Sequence, residues 1–195
     1  IPIINENLKV MVSLYKIYFA NHLASQNSVG HVWTRKKNLH KMIDCGDKLC
    51  TLHLEAGNVN HKNSITVGTG ESVVIFAMGS NKVITTDLTS SMSIGNTSFG
   101  IVNLGSGNRV VSNMPTVNLS DDSVYIYSTD NTNPTSGLAN ITNNTQINAT
   151  GSRNYGIYSA GKVENYSNIV MDTVGTVGNV GIYSTAGIAE NYNTI

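Results

Sequence analysis

NYGIYSAGKVENYSNI, residues 154 to 169, is answered by NVGIYSTAGIAENYNTI, residues 179 to 195, which begins 25 residues after it. Self-similarity at a fixed spacing is the signature of repeat architectures. Three more copies of the word lie upstream: SVVIFA (72–77), SFGIVN (98–103) and SVYIYS (123–128). The central isoleucines are Ile75, Ile101, Ile126, Ile157 and Ile182, with successive spacings of 26, 25, 31 and 25. The long interval holds TDNTNPTSG, residues 129–137, whose turn residues mark it as a surface insertion.

Between the copies run short alternating stretches such as RVVSNMPTVNL and GLANITNNTQINA, strand-length and β-branched, with no helical period after residue 55. A unit of this size cannot bury its own apolar face, so it must stack on its neighbours. The expectation is a mainly β chain, a right-handed β-helix (β-solenoid) with each strand about 4.8 Å from its equivalent in the next coil. Ile75, Ile101, Ile126, Ile157 and Ile182 then form one inner column. Asn113, Asn165 and Asn191 are expected to form an amide ladder at a corner. Tyr127, Tyr158 and Tyr183 are expected to form a stacked stripe, read as packing before sugar binding. The repeat breaking off within a coil is read as a cut from a longer rod.

Charge divides the chain. Residues 1–50 hold seven Lys and Arg against three Asp and Glu, and the remainder five against nine, so the parts carry +4 and −4. The expected organisation is a helical cap or inserted subdomain over 1–50 and a solenoid over 51–195. Leu8, Met11, Val12, Tyr15, Phe19 and Leu23 share one stripe, which predicts a helix over about 7–25; a shorter one is expected near 36–44. No run of apolar residues reaches membrane-helix length. The start IPIINENLKV has no signal-peptide pattern, and a leader, where there is one, is taken to precede this sequence.

Cys45 and Cys50 sit between His40 and His53. In an oxidising setting two such cysteines close a small disulfide loop; two free thiols and a metal site are the alternatives, the spacing matching no standard zinc finger. Trp33, Arg35, Lys36 and Lys37 combine an aromatic with three positive charges and are the candidate ligand-binding residues, against the plainer reading of a solvated loop beside a buried Trp. GTGE (68–71) and GSGN (105–108) lack a following helix and make no phosphate cradle. Asp121 and Asp122, if on a strand, point to opposite faces, poor geometry for acid and base work. The Asn-x-Ser/Thr triplets at Asn96, Asn118, Asn140, Asn143, Asn148 and Asn165 follow from composition and are not read as glycosylation sites.

SFGIVNLGSGNRVVSN, together with the two stretches quoted first, resembles the passenger repeats of very large fusobacterial autotransporter adhesins, which run G-I-Y-S, a short turn, then V-x-N-x-G-x-I. The resemblance covers about residues 64–195. It departs from the pattern at Tyr166 and Tyr192, where the family often has its second Gly. It implies a β-helix displayed on the bacterial cell surface by an outer-membrane barrel outside this sequence, the chain's only link to a membrane. It also implies binding to a host-cell glycan, a protein receptor or other bacteria, with no nucleic acid and no cofactor. The family has no short binding motif, so no residue role carries over.

A β-helix polysaccharide lyase or hydrolase is the alternative. Its site needs carboxylates and cations clustered on one strand face. The cations of 51–195 are Lys62, Lys82, Arg109, Arg153 and Lys162, widely spread, so a non-catalytic adhesin is the expectation. A surface-binding solenoid of the ice-binding kind wants Thr at equivalent outward positions, and Thr85, Thr116, Thr142 and Thr173 are not equivalent.

Overall fold

A computed structural model describes residues 52–54, 59–62, 64–67, 73–77, 80–132 and 137–195. The chain divides into two compact units, Ile1–His40 and Lys41–Ile195, and every described residue belongs to the second. The helices expected over 7–25 and 36–44 and the Cys45 and Cys50 pair lie outside the described residues, which contain no helix.

Among the described residues seventeen short strands follow one another in coils. The first described coil is β1 (Leu52–Leu54), β2 (Val59–His61) and β3 (Ile65–Val67); the second is β4 (Val73–Ala77), β5 (Val83–Thr86) and β6 (Met92–Ile94). The third is β7 (Phe99–Asn103), β8 (Arg109–Ser112) and β9 (Thr116–Leu119), and the fourth β10 (Val124–Ser128), β11 (Ile141–Asn143) and β12 (Gln146–Ala149). β13 (Tyr155–Ser159), β14 (Val163–Asn165) and β15 (Ile169–Val170) make the fifth, and β16 (Val180–Ser184) and β17 (Ala189–Asn191) follow. Every third strand pairs in parallel, giving three sheets: β1-β4-β7-β10-β13-β16, β2-β5-β8-β11-β14-β17 and β3-β6-β9-β12-β15. This is a β-solenoid.

The repeat word is the strand of the first sheet. Leu52, Ile75, Ile101, Ile126, Ile157 and Ile182 lie in continuous register. Ile75, Ile101, Ile126 and Ile157 are fully buried and Ile182 is partly so. The second sheet adds Ile84, Val110, Ile141 and Val163, and the third Met92, Val117, Ile147 and Ile169. One apolar column per sheet builds the core because in-register parallel stacking returns the same position to the same environment every coil.

The inner position before each isoleucine is not uniform: Val74, Gly100, Tyr125, Gly156 and Gly181. Tyr125 is fully buried in a tube otherwise packed with aliphatics, and the glycine before it makes that possible. A Cβ on Gly100 would stand 2.7 Å from the Tyr125 carbonyl oxygen, 2.8 Å from its ring and 2.9 Å from Ile94. On Gly156 it would meet the Gly181 carbonyl at 2.6 Å and the Met171 methyl at 2.8 Å. Large and small residues thus interlock between coils. The Tyr125 hydroxyl is satisfied inside by Ser112, 2.5 Å away, which also bonds Thr145.

Polar columns line the corners. Asn143 Nδ2 donates to Asn165 Oδ1 and Asn165 Nδ2 to Asn191 Oδ1, both at 2.7 Å, while Asn143 and Asn165 also cap the Thr145 and Ser167 carbonyls. The ladder expected from Asn113, Asn165 and Asn191 is therefore off by one position at its first member. Strand register aligns Ser112, not Asn113, with Asn143. Asn113 belongs to the next column out, where Asn144 Nδ2 donates to it at 2.8 Å.

The corner before each first-sheet strand has its own column: Thr97, Asp122, Arg153 and Gly178, all left-handed with φ of 58°, 57°, 59° and 70°. Their amides reach one coil onward, Thr97 to the Asp121 carbonyl, Asp122 to Ser152 and Arg153 to Val177, at 2.8–2.9 Å. A left-handed conformation costs an ordinary L-residue about 1–2 kcal/mol, most for a β-branched one.

Two substitutions test this packing in opposite directions. Thr97→Gly relieves the strained corner and is expected to raise stability by about 0.5–1 kcal/mol in urea unfolding. Gly100→Ala drives a methyl into Tyr125 and Ile94 and is expected to lower it by about 1–3 kcal/mol.

Candidate interaction surface

With the inner positions occupied by packing, ligand chemistry falls to the outward positions and corners. The outer side of the first sheet carries Phe76, Val102, Tyr127, Tyr158 and Tyr183 in register. The last three form the expected stripe: Tyr127 and Tyr158 stack with centroids 4.9 Å apart, Tyr158 and Tyr183 at 5.0 Å, and Tyr155 abuts both Tyr158 and Tyr183 edge-on. The column passes from buried Phe76 and Val102 to half-buried Tyr127 and Tyr158 and exposed Tyr183. Burial, with the neighbouring Tyr158 phenol, pushes the Tyr127 hydroxyl up to about 12; burial alone does the same for Tyr125, against its hydrogen bonds to Ser112 and Thr145.

A second aromatic pair, absent from the sequence reading, lies where the second sheet ends. Tyr166 and Tyr192 stack with centroids 4.8 Å apart and planes 5° apart, both exposed. Their hydroxyls donate to Glu164 at 3.3 Å and Glu190 at 3.1 Å. Register places these two carboxylates directly on one another, a repulsive arrangement that Lys162 resolves by reaching both, 2.7 Å to Glu164 and 3.0 Å to Glu190. Those hydrogen bonds raise the Lys162 ammonium above its ordinary value and lower Glu190 below the usual carboxylate range. The signal was present in V-E-N-Y and A-E-N-Y, whose Glu and Tyr recur at 26 residues.

Asp121 and Asp122 stand in a corner and not on a strand. Asp121 accepts the Ser152 amide at 2.7 Å, and Asp122 holds Arg153 through two bonds of 2.6 Å from Nε and Nη2. Both carboxylates are engaged in joining coils. Asn140, Asn143 and Asn165, three of the six triplet asparagines, are buried. Among the described residues no three His, Cys, Asp or Glu gather as metal ligands. A cavity of about 370 Å³ beside the 171–179 connection is lined by Met171, Asp172, Val177, Asn179 and Ile195, with one carboxyl group. Trp33, Arg35, Lys36, Lys37 and His40 lie outside the described residues; His53 is on β1, in register with Phe76.

The insertion sits between β10 and β11. Its first residues are tied down by Asp130, whose carboxylate accepts the Asn108 amide at 2.7 Å and the Thr132 amide at 2.9 Å. Thr132 in turn accepts the Gly107 amide at 2.5 Å, and its carbonyl accepts Asn140 Nδ2. The 129–132 segment is thereby fastened to the turn at 105–108 that leads into β8.

Compared with family models, curated proteins and solved structures, the chain matches none.

Lys162→Met leaves Glu164 and Glu190 stacked without a counter-charge. Its melting temperature is expected to fall below the parent's at neutral pH and low salt, and to recover with added salt. The gap should also close as pH drops through the carboxylate range, because the lowered Glu190 stabilises the fold only while ionised. Tyr125 and Tyr127 have the opposite sign. Their contribution is complete below pH about 10 and is lost as pH rises toward about 12, so alkaline unfolding is expected in that window, with Tyr125→Phe moving it upward.

Proposed function

We propose that this chain is part of a bacterial surface-displayed autotransporter adhesin that binds a host-cell glycan, a protein receptor or a partner bacterium without catalysing a reaction. The supporting observation is that the word carrying the family resemblance, G-I-Y-S, is the first-sheet strand of successive coils in exact register. Such coils make a stiff spacer about 4.8 Å long per coil, with a repeating row of outward side chains along each sheet. The ion pairs of Arg153 and Lys162 join adjacent coils, a use of charge that serves a rod. Exposed tyrosines set among amides and carboxylates suit recognition of polar, ring-shaped ligands.

The test is binding of the immobilised 195-residue chain to host cells and to other bacteria, with a heat-unfolded sample as control. Saturable capture by the folded chain is the expected result. Absence of capture on every cell type overturns the adhesin reading, and release of sugar fragments from a polysaccharide replaces it with an enzymatic one.

A further inference from the structure

We propose that Tyr166 and Tyr192 are a site of oxidative cross-linking, joined ring to ring as dityrosine when a haem peroxidase and hydrogen peroxide meet the rod, whatever that rod binds. The two residues directly follow β14 and β17 and occupy the same corner of successive coils, their amides donating to the Asn143 and Asn165 carbonyls at 2.8 Å. Their rings stack with centroids 4.8 Å apart and planes 5° apart, the most nearly parallel of the described tyrosine pairs. Both are open to solvent, 46% and 59% exposed, so an oxidant outside the rod reaches them.

Each phenol also has a proton acceptor in place. The Tyr166 hydroxyl donates to Glu164 at 3.3 Å and the Tyr192 hydroxyl to Glu190 at 3.1 Å. Loss of an electron makes a phenol strongly acidic, so the hydrogen-bonded carboxylate takes the proton as the electron leaves, and a neutral phenoxyl radical remains. The other stacked column lacks this provision. No hydroxyl of Tyr127, Tyr158 or Tyr183 bonds to a described residue, and Tyr127 and Tyr158 are half-buried.

Two such oxidations, one per ring, leave two radicals side by side. Unpaired spin on a phenoxyl lies at the oxygen and at the ortho and para carbons; Cβ blocks the para carbon, so the rings couple through their ortho carbons. One carbon–carbon bond forms, and the two ortho hydrogens then shift as protons to the oxygens, restoring both hydroxyls. In all, two electrons and two protons leave the protein, and hydrogen peroxide takes them up through the peroxidase to become two waters. The coupling carbons leave the parallel stack to meet, and both side chains stand past a strand end with an open outer side, where the rings have room to tilt. Because the partner ring is already adjacent, coupling within the chain outruns coupling between chains in dilute solution. The bond closes the 26-residue interval between the two tyrosines and fastens the coil of β14 to that of β17, as a disulfide would.

The experiment treats the dilute 195-residue chain with a haem peroxidase and one equivalent of hydrogen peroxide. Dityrosine fluorescence gives the initial rate, and tandem mass spectrometry after cleavage at glutamate locates the bond. The expected product is a single chain in which the peptides carrying Tyr166 and Tyr192 are joined and two hydrogen atoms lighter than their sum. Tyr166→Phe and Tyr192→Phe keep a ring at each position and are each expected to abolish that product. Glu164→Gln combined with Glu190→Gln is expected to slow it several-fold, and the parent unfolded in urea is expected to lose its preference for this pair. Cross-links only between chains, a bond between Tyr158 and Tyr183 formed in preference, or the same preference in urea overturns the proposal. An unchanged rate in the double glutamine variant overturns the part given to the carboxylates.

Discussion

Parallel in-register pairing imposes a severe condition on this sequence: each residue has its own equivalent for a neighbour, about 4.8 Å above and below. A column persists only if its members tolerate one another. Isoleucine and valine do so by dispersion and burial, asparagine by handing one amide hydrogen along the stack, tyrosine by offset stacking. Charge does not, because like on like repels, and the two described charged contacts between coils show the remedy. Asp122 is followed by Arg153 in the same column, and the Glu164 and Glu190 pair is straddled by a lysine from two residues away. Residues 51–195 carry only five Lys and Arg and nine Asp and Glu, in keeping with this architecture.

The same condition explains what the sequence made legible. The isoleucine column and the Tyr127, Tyr158 and Tyr183 stripe were readable because both lie inside one word of fixed length, so aligning the word aligns the column. The amide ladder was misaligned at Asn113 because it lies across a turn from that word. The first-to-second-sheet connection has five residues before β8, three before β14 and twelve before β11, so counting from the isoleucine does not carry to the second sheet. Once strands set the register, Asn113 and Asn144 head a column that continues as Tyr166 and Tyr192. Two amides bond in its first half and two rings stack in its second. The Glu and Lys cluster escaped notice for a related reason: V-E-N-Y reads as an alternating strand until register sets one glutamate over the other.

The interior shows how the columns compensate one another. Along the second sheet the last inward residue is Thr86, Ser112, Asn143, Asn165 and Asn191. Small hydroxyl residues stand where the Tyr125 phenol fills the tube and needs partners, and asparagines stand where Gly156 and Gly181 leave room for an amide chain. A single large residue in one column is thus matched by smaller ones in another. Core variation in this fold is coordinated across sheets, and no column can be altered alone without opening a void or a clash.

Stacking also limits where recognition chemistry can arise. A regular column presents one group repeated, which gives a stripe; different groups meet where neighbouring columns touch, as Lys162, Glu164 and Tyr166 do, or where the coil length changes. The described chain has that change before β11, within the 31-residue interval that also holds Arg153. Asp130, the acid brought in by the insertion, is used to hold the insertion down. Arg153, within the same long interval, still finds Asp122, and Lys162 in the regular coil that follows finds Glu164 and Glu190, so a change of coil length leaves the pairing of charge between coils intact.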